Sequence, residues 1–333
     1  MPQFPNACLL AANGKTGRLS TSFINAVRGF KTERGFKTSV FERILRRISK
    51  PKITPFDSIT IDEGPFPPSR LWKPLGFTVL VCSGTFVCAA IWQYENMRAR
   101  AIALMKQRSS WIQDKYHNKK KIDSWWNGLT EADKIFLPIF FLNCWAFSAW
   151  RFPQLQGTML RYFCSNPTSR ILCWPMILCT FSHYSILHLF ANMLGMYFLL
   201  QDSVVSMGKE QVFALFLIGG VISSMASYVH RVFSVTGLSL GASGAVLAIF
   251  GYFCIRDPDK DMCLIFMPFF TFSADTALCV QILLDVAGII LGWRRIDHAA
   301  HLGGTITGIA WSFWGNTYYN KTMHWWHELT GGQ

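Results

Sequence analysis

Charged side chains are scarce, at 15% of 333 residues, and acidic ones number only 19. A chain with so little charge and 51% hydrophobic residues cannot clothe several soluble domains in a polar surface. It is also too apolar to stay disordered. Cysteine is present ten times, yet no CxxC pair occurs, which removes a zinc pattern, and several cysteines sit inside apolar runs rather than in a disulfide framework. HExxH is missing, so a zinc protease of that type is excluded. Paired acids in separate apolar segments are missing too, and with them an aspartyl protease, because only Asp285 lies well inside such a segment. No transporter-like internal repeat is visible. The residues name no cofactor and no metal.

What is present is apolar and aromatic: 28 Phe, 13 Trp and a mean hydropathy of +0.24. Taking about 20 apolar residues per crossing, seven spans emerge: 75–92, 135–150, 185–200, 211–229, 237–255, 275–293 and 299–314. The expectation is an all-α polytopic membrane protein of one separate N-terminal span followed by six close together. Residues 54–74 form a linker, 93–134 a polar, basic connecting segment, and 316–333 a C-terminal tail. The apolar stretch 262–272 reads as a loop before the sixth span.

The net charge of +13 could suggest nucleic acid, but its distribution does not. Residues 1–53 carry eleven basic and two acidic side chains among Ser and Thr, with scattered apolar residues and no continuous apolar core. That is the composition of a mitochondrial transit peptide rather than a secretory signal; a basic tail at a cytoplasmic membrane face is the alternative. The partner expected is the lipid bilayer, not nucleic acid, and the residues set no oligomeric state. With this arm in the mitochondrial matrix, seven spans put the C-terminus in the intermembrane space.

Polar residues inside spans are costly and so mark function. The third span opens with His183, His188 and Asn192, the fifth with GASGA at 241–245, and the seventh with DHAAHLGG at 297–304. Alternate spans run in the same direction, so these openings share one face and one depth. Gly244, Ala248 and Gly251 form a small-residue stripe; His301, Gly304 and Gly308 form another, the last two at GxxxG spacing, and two such stripes let helices approach closely. Ser243 borders the first and His301 heads the second. A Ser hydroxyl becomes a nucleophile when a base takes its proton, and neutral His does this near pH 7. Ser243 at a helix N-terminus also offers a free backbone N–H to a developing oxyanion. His188 and Asn192, at i and i+4, can both donate to the same oxyanion. Gly241 and Gly244 leave room for a substrate backbone. His298 is a competing base, but the glycine stripe starts at His301. His183 reads as structural support. Asp285 could orient a His, or bond neighbouring polar groups while protonated; the structural role is preferred.

Three motifs in this order resemble the rhomboid family of intramembrane serine proteases: HxxxxHxxxN at 183–192, GASGA at 241–245 and AHLGG at 300–304 followed by Gly308. RYFCSNPTS at 161–169, CTFSH at 179–183 and DHAAHLGG at 297–304 are similar to its mitochondrial branch. The resemblance covers about 135–315 and implies a rhomboid-like six-helix core, with the 1+6 arrangement of that branch. It implies Ser243 as nucleophile, His301 as general base, and His188, Asn192 and the Ser243 N–H around the oxyanion. The implied dyad needs no third carboxylate. The implied partners are single-pass membrane proteins cut in or beside their membrane helix. For the mitochondrial branch these are inner-membrane precursors linked to mitophagy, apoptosis and membrane remodelling. Two departures stand out: Leu247 occupies the position four after Ser243 where many rhomboids have Tyr, and no Trp-Arg pair lies between 151 and 184. A catalytically silent rhomboid-like scaffold that binds helices is the alternative, and it usually lacks the Ser or the His.

Overall fold

The computed structural model describes residues 67–109, 121–166, 169–234, 238–264 and 267–331. The basic arm 1–53 and most of the 54–74 linker lie outside them. All the described residues belong to one compact unit.

After a short 3-10 turn at Pro68–Leu71, helix α1 runs from Trp72 to Ser109. It is far longer than the 75–92 span, so residues 93–109 of the expected connecting segment continue that helix. A short α2, Lys121–Gly128, precedes α3, Glu131–Ala149. α3 starts at Glu131 because Thr130 and Asp133 form a reciprocal capping box, satisfying two otherwise orphan N–H groups. The 151–184 connection holds two further helices, α4 (Pro153–Tyr162) and α5 (Cys173–Leu178), the latter extended by a 3-10 turn to Phe181.

Helix α6, Ile186–Met207, meets α7, Lys209–Phe233, at the single residue Gly208, whose φ of +86° only glycine adopts cheaply. α8 spans Ser243–Arg256, beginning six residues after the expected onset; the described residues just before it, 238–242, are not helical. The apolar 262–272 loop is instead a two-stranded antiparallel hairpin, β1 (Asp261–Leu264) with β2 (Met267–Ser273), in which Asp261 pairs with Ser273. Phe269, Phe270, Thr271 and Phe272 in β2 are residue types that suit a strand. Beside an isolated bridge between Ser165 and Ser239, this small sheet is the departure from an all-helical fold among the described residues. α9 is Ala274–Ile290 and α10 is His298–Ala310, capped by Asp297, whose carboxylate accepts from the Ala300 N–H at 3.1 Å. A π-helical turn, Trp311–Gly315, leads into α11, Asn316–Leu329, so the expected tail is helical as well.

Among the described residues two helices, Pro68–Lys106 and Lys209–Phe233, are long and apolar enough alone to cross a membrane, or three if the bent Cys173–Phe181 plus Ile186–Met207 pair is one span. α7 and α8 form the centre, with Phe216, Leu215, Ala248 and Ile249 wholly enclosed. Large apolar side chains point outward instead, among them Phe141 and Trp145 on α3, Phe198 on α6 and Leu283 on α9. Apolar outside and polar within is the pattern of a bundle whose solvent is lipid. α1 joins this bundle through Phe86, set edge-on against Trp311 and Tyr319 at 5.4 Å each.

Candidate functional site

The openings of α6, α8 and α10 meet at one end of the bundle. They meet because α8 and α10 touch backbone to backbone. A side-chain carbon on Gly304 would overlap the Gly244 carbonyl, and one on Gly308 would overlap the Ala248 carbonyl. A carbon on Gly251 would lie 2.5 Å from the Thr305 carbonyl. Each stripe therefore fits against the other with no space for a methyl group. Gly244 also faces Ser223 of α7, so the seam is three helices deep.

At the head of the seam His301 Nε2 lies 2.8 Å from Ser243 Oγ, a full hydrogen bond. Ser243 is the first residue of α8. The N–H groups of a first helical turn have no partner within the helix, and the dipole there is positive. Ser243, Gly244 and Ala245 of this turn line a cavity of about 620 Å³ whose walls also include His301, His188, Asn192 and Gly241.

The loop before Ser243 is fixed on three sides. Ser165 and Ser239 exchange backbone hydrogen bonds of 2.7 and 3.1 Å. The Gly241 N–H donates to the Cys179 carbonyl at 2.9 Å. The Ala242 N–H donates to His183 Nε2 at 3.3 Å, which gives His183 its supporting place. The His183 ring meets the His188 ring edge-on at 4.9 Å. Gly241 has a φ of +134°, and a Cβ there would sit 2.6 Å from His188 Cε1, so both conformation and space call for glycine. Asn192 Nδ2 donates to the His188 carbonyl at 2.9 Å, leaving its second N–H for the cavity it lines.

Asp285, near the end of α9, is enclosed. Its Oδ1 lies 2.8 Å from His298 Nδ1 and 3.6 Å from His301 Nδ1, while Gln281 Nε2 donates to Oδ2 at 2.7 Å. His298 is thus turned towards Asp285, and Ser243 is hydrogen-bonded to His301.

Behind the site, Arg231 of α7 pairs with Asp297 at 3.4 Å, and Ser227 also donates to that carboxylate. Burial opposes ionisation of Asp297, but the Arg231 charge and the Ser227 hydroxyl outweigh it and hold the carboxyl below its ordinary range. Sequence reasoning missed this pair, as it missed Ser165 and Cys179. Their signals were present: Asp297 precedes His298, and Ser165 lies inside RYFCSNPTS. Among the described residues no group of three or more His, Cys, Asp or Glu could hold a metal ion.

A family model described as the Rhomboid domain matches residues 172–316. The chain belongs to the rhomboid family. It is 40% identical over 288 residues to the mitochondrial presenilin-associated rhomboid-like protein of Homo sapiens, a match covering 83% of this chain and 76% of that one. It is 35% identical over 297 residues to presenilin-associated rhomboid-like protein A, mitochondrial, of Danio rerio, covering 80% and 78%. Mitochondrial rhomboid protein 1 of Saccharomyces cerevisiae is 27% identical over 179 residues, covering 52% and 51%.

Proposed function

We propose that this protein is an intramembrane serine endopeptidase of the mitochondrial inner membrane. The observation that carries the reading is the 2.8 Å contact between Ser243 Oγ and His301 Nε2 at the wall of the cavity. Ser243 Oγ attacks the scissile carbonyl while His301 Nε2 takes the hydroxyl proton; the same nitrogen then gives it to the leaving amine. The oxyanion forms beside the Ser243 N–H, with His188 and Asn192 as further donors. Each such donor contributes about 3–4 kcal/mol of transition-state stabilisation. Water entering the cavity hydrolyses the acyl-enzyme. Substrates are single-pass membrane proteins, cut in or beside their membrane helix after it unwinds. They include precursors linked to mitophagy, apoptosis and inner-membrane remodelling. The mitochondrial names of the relatives and the basic arm support the location.

The test is cleavage of a model single-pass substrate by purified protein in lipid, beside Ser243→Ala and His301→Ala. Each variant should lose at least about 10³-fold in kcat. A fluorophosphonate should label Ser243 in the wild type. Neither cleavage nor label across several substrates would overturn the protease reading and favour a helix-binding scaffold.

A further inference from the structure

We propose that Asp285 is a positioning residue for His301, holding its imidazole with the proton on Nδ1 so that Nε2 stays free for the Ser243 hydroxyl. This rests on the protease reading and adds to its Ser-His pair a third group that the family resemblance does not require.

The tautomer comes first. If Nε2 accepts from Ser243 Oγ, a neutral imidazole must carry its proton on Nδ1. The His301 side chain is 19% exposed, but its Nδ1 faces the enclosed Asp285, and an N–H left unpaired there costs the desolvation of a polar group. The acceptor in that direction is Asp285 Oδ1 at 3.6 Å, and no other carboxylate lies within 4.0 Å of His301 among the described residues.

The carboxylate is held still for this purpose. Its side chain is 2% exposed. Gln281, one turn earlier on α9, donates to Oδ2 at 2.7 Å. His298 takes up Oδ1 from the other side at 2.8 Å, and its ring is seated on Gly288, where any side chain would overlap it. Oδ1 therefore sits between two imidazoles whose centroids are 6.4 Å apart. A carboxylate oxygen has lone pairs for both.

The separation of 3.6 Å is too long for a full hydrogen bond, but catalytic hydrogen bonds are often long without substrate and tighten in the complex. Chemistry supplies the force. On taking the Ser243 proton His301 becomes an imidazolium, and attraction to Asp285 is then larger than in the neutral ground state. Such an interaction acts on kcat rather than on substrate binding. The other titratable or charged groups around His301 are His188 from α6, His298 on its own helix, and Arg231, Arg294, Arg295 and Asp297 on the cavity wall; Asp297, the one carboxylate among them, is taken by Arg231, Ser227 and the Ala300 N–H.

The experiment compares wild type, Asp285→Asn and Ser243→Ala in lipid. Wild-type cleavage and Ser243 labelling establish the protease reading independently of Asp285. Asp285→Asn should then lower kcat about 10²-fold with KM within about threefold, and slow fluorophosphonate labelling in parallel. Its melting temperature should stay close to wild type. An unchanged kcat, or losses that follow a fallen melting temperature in kcat and KM together, would overturn the proposal. Should Asp285→Asn not fold, ¹⁵N-histidine spectra of the wild type, assigned with His301→Gln, give the tautomer directly. A proton on Nδ1 of His301 is expected; a proton on Nε2 would overturn the proposal.

Discussion

Gly241 shows how much one residue can decide here. Its φ of +134°, and the 2.6 Å at which a Cβ would lie from His188 Cε1, leave no place for a methyl group. Gly241→Ala should cost about 1–3 kcal/mol of local strain and displace the His188 ring. The expected result is a fall of about tenfold or more in kcat, with Ser243 still labelled by a fluorophosphonate. At this scale the sequence was informative. Ser243, His301, His188 and Asn192 were legible because polar groups in apolar runs stand out and alternate spans place them at one depth. The enclosure of Asp285 between two histidines was not, since helix rotation cannot be read from an apolar run in which either face could look inward. His298 and His301, three residues apart, competed for one role; the glycine stripe favoured His301, and the rotation of α10 turns His298 to Asp285 and His301 to Ser243.

At the scale of elements, the seam between α8 and α10 does the positioning. Gly308→Ala should push α10 from the Ala248 carbonyl and destabilise by about 1–3 kcal/mol, because backbone cannot yield as a side chain can. Gly84 of α1 is the contrast: nothing lies within 4 Å of its missing Cβ, so Gly84→Ala should be neutral or stabilising by up to about 1 kcal/mol. Thermal unfolding of both variants in the same detergent checks the pair. The small-residue spacing that announces the seam is visible in the sequence, because close approach demands small side chains at a fixed helical interval. Element ends were less legible. α1 runs on to Ser109 although its polarity changes after residue 92, since polar residues with good helix propensity continue a helix beyond an apolar segment. The hairpin at 261–273 was hidden for a related reason: a short apolar run has no distinctive period.

Across the whole molecule, α1, α3 and α7 are tied at the end of the bundle away from the site. Glu131 receives Lys134 at 2.8 Å and Arg100 at 3.3 Å, and it also pairs with Lys209. Burial alone would raise its carboxyl, but the hydrogen bonds from Lys134 and Lys209 outweigh this and bring it down to about 2. The folded value lies below the ordinary one. The stability it contributes is therefore full above the usual carboxylate range and is lost as pH falls towards 2. Unfolding midpoints should drop on acidification through that window, and Glu131→Gln should flatten the dependence. The glycine seam has a further consequence, one of measurement. A helix advances about 5.4 Å per turn, so sliding α10 along α8 by one turn of the stripe would carry a 2.8 Å contact out of reach. Gly244, Gly304 and Gly308 thus act as a gauge, setting the distance between Ser243 and His301.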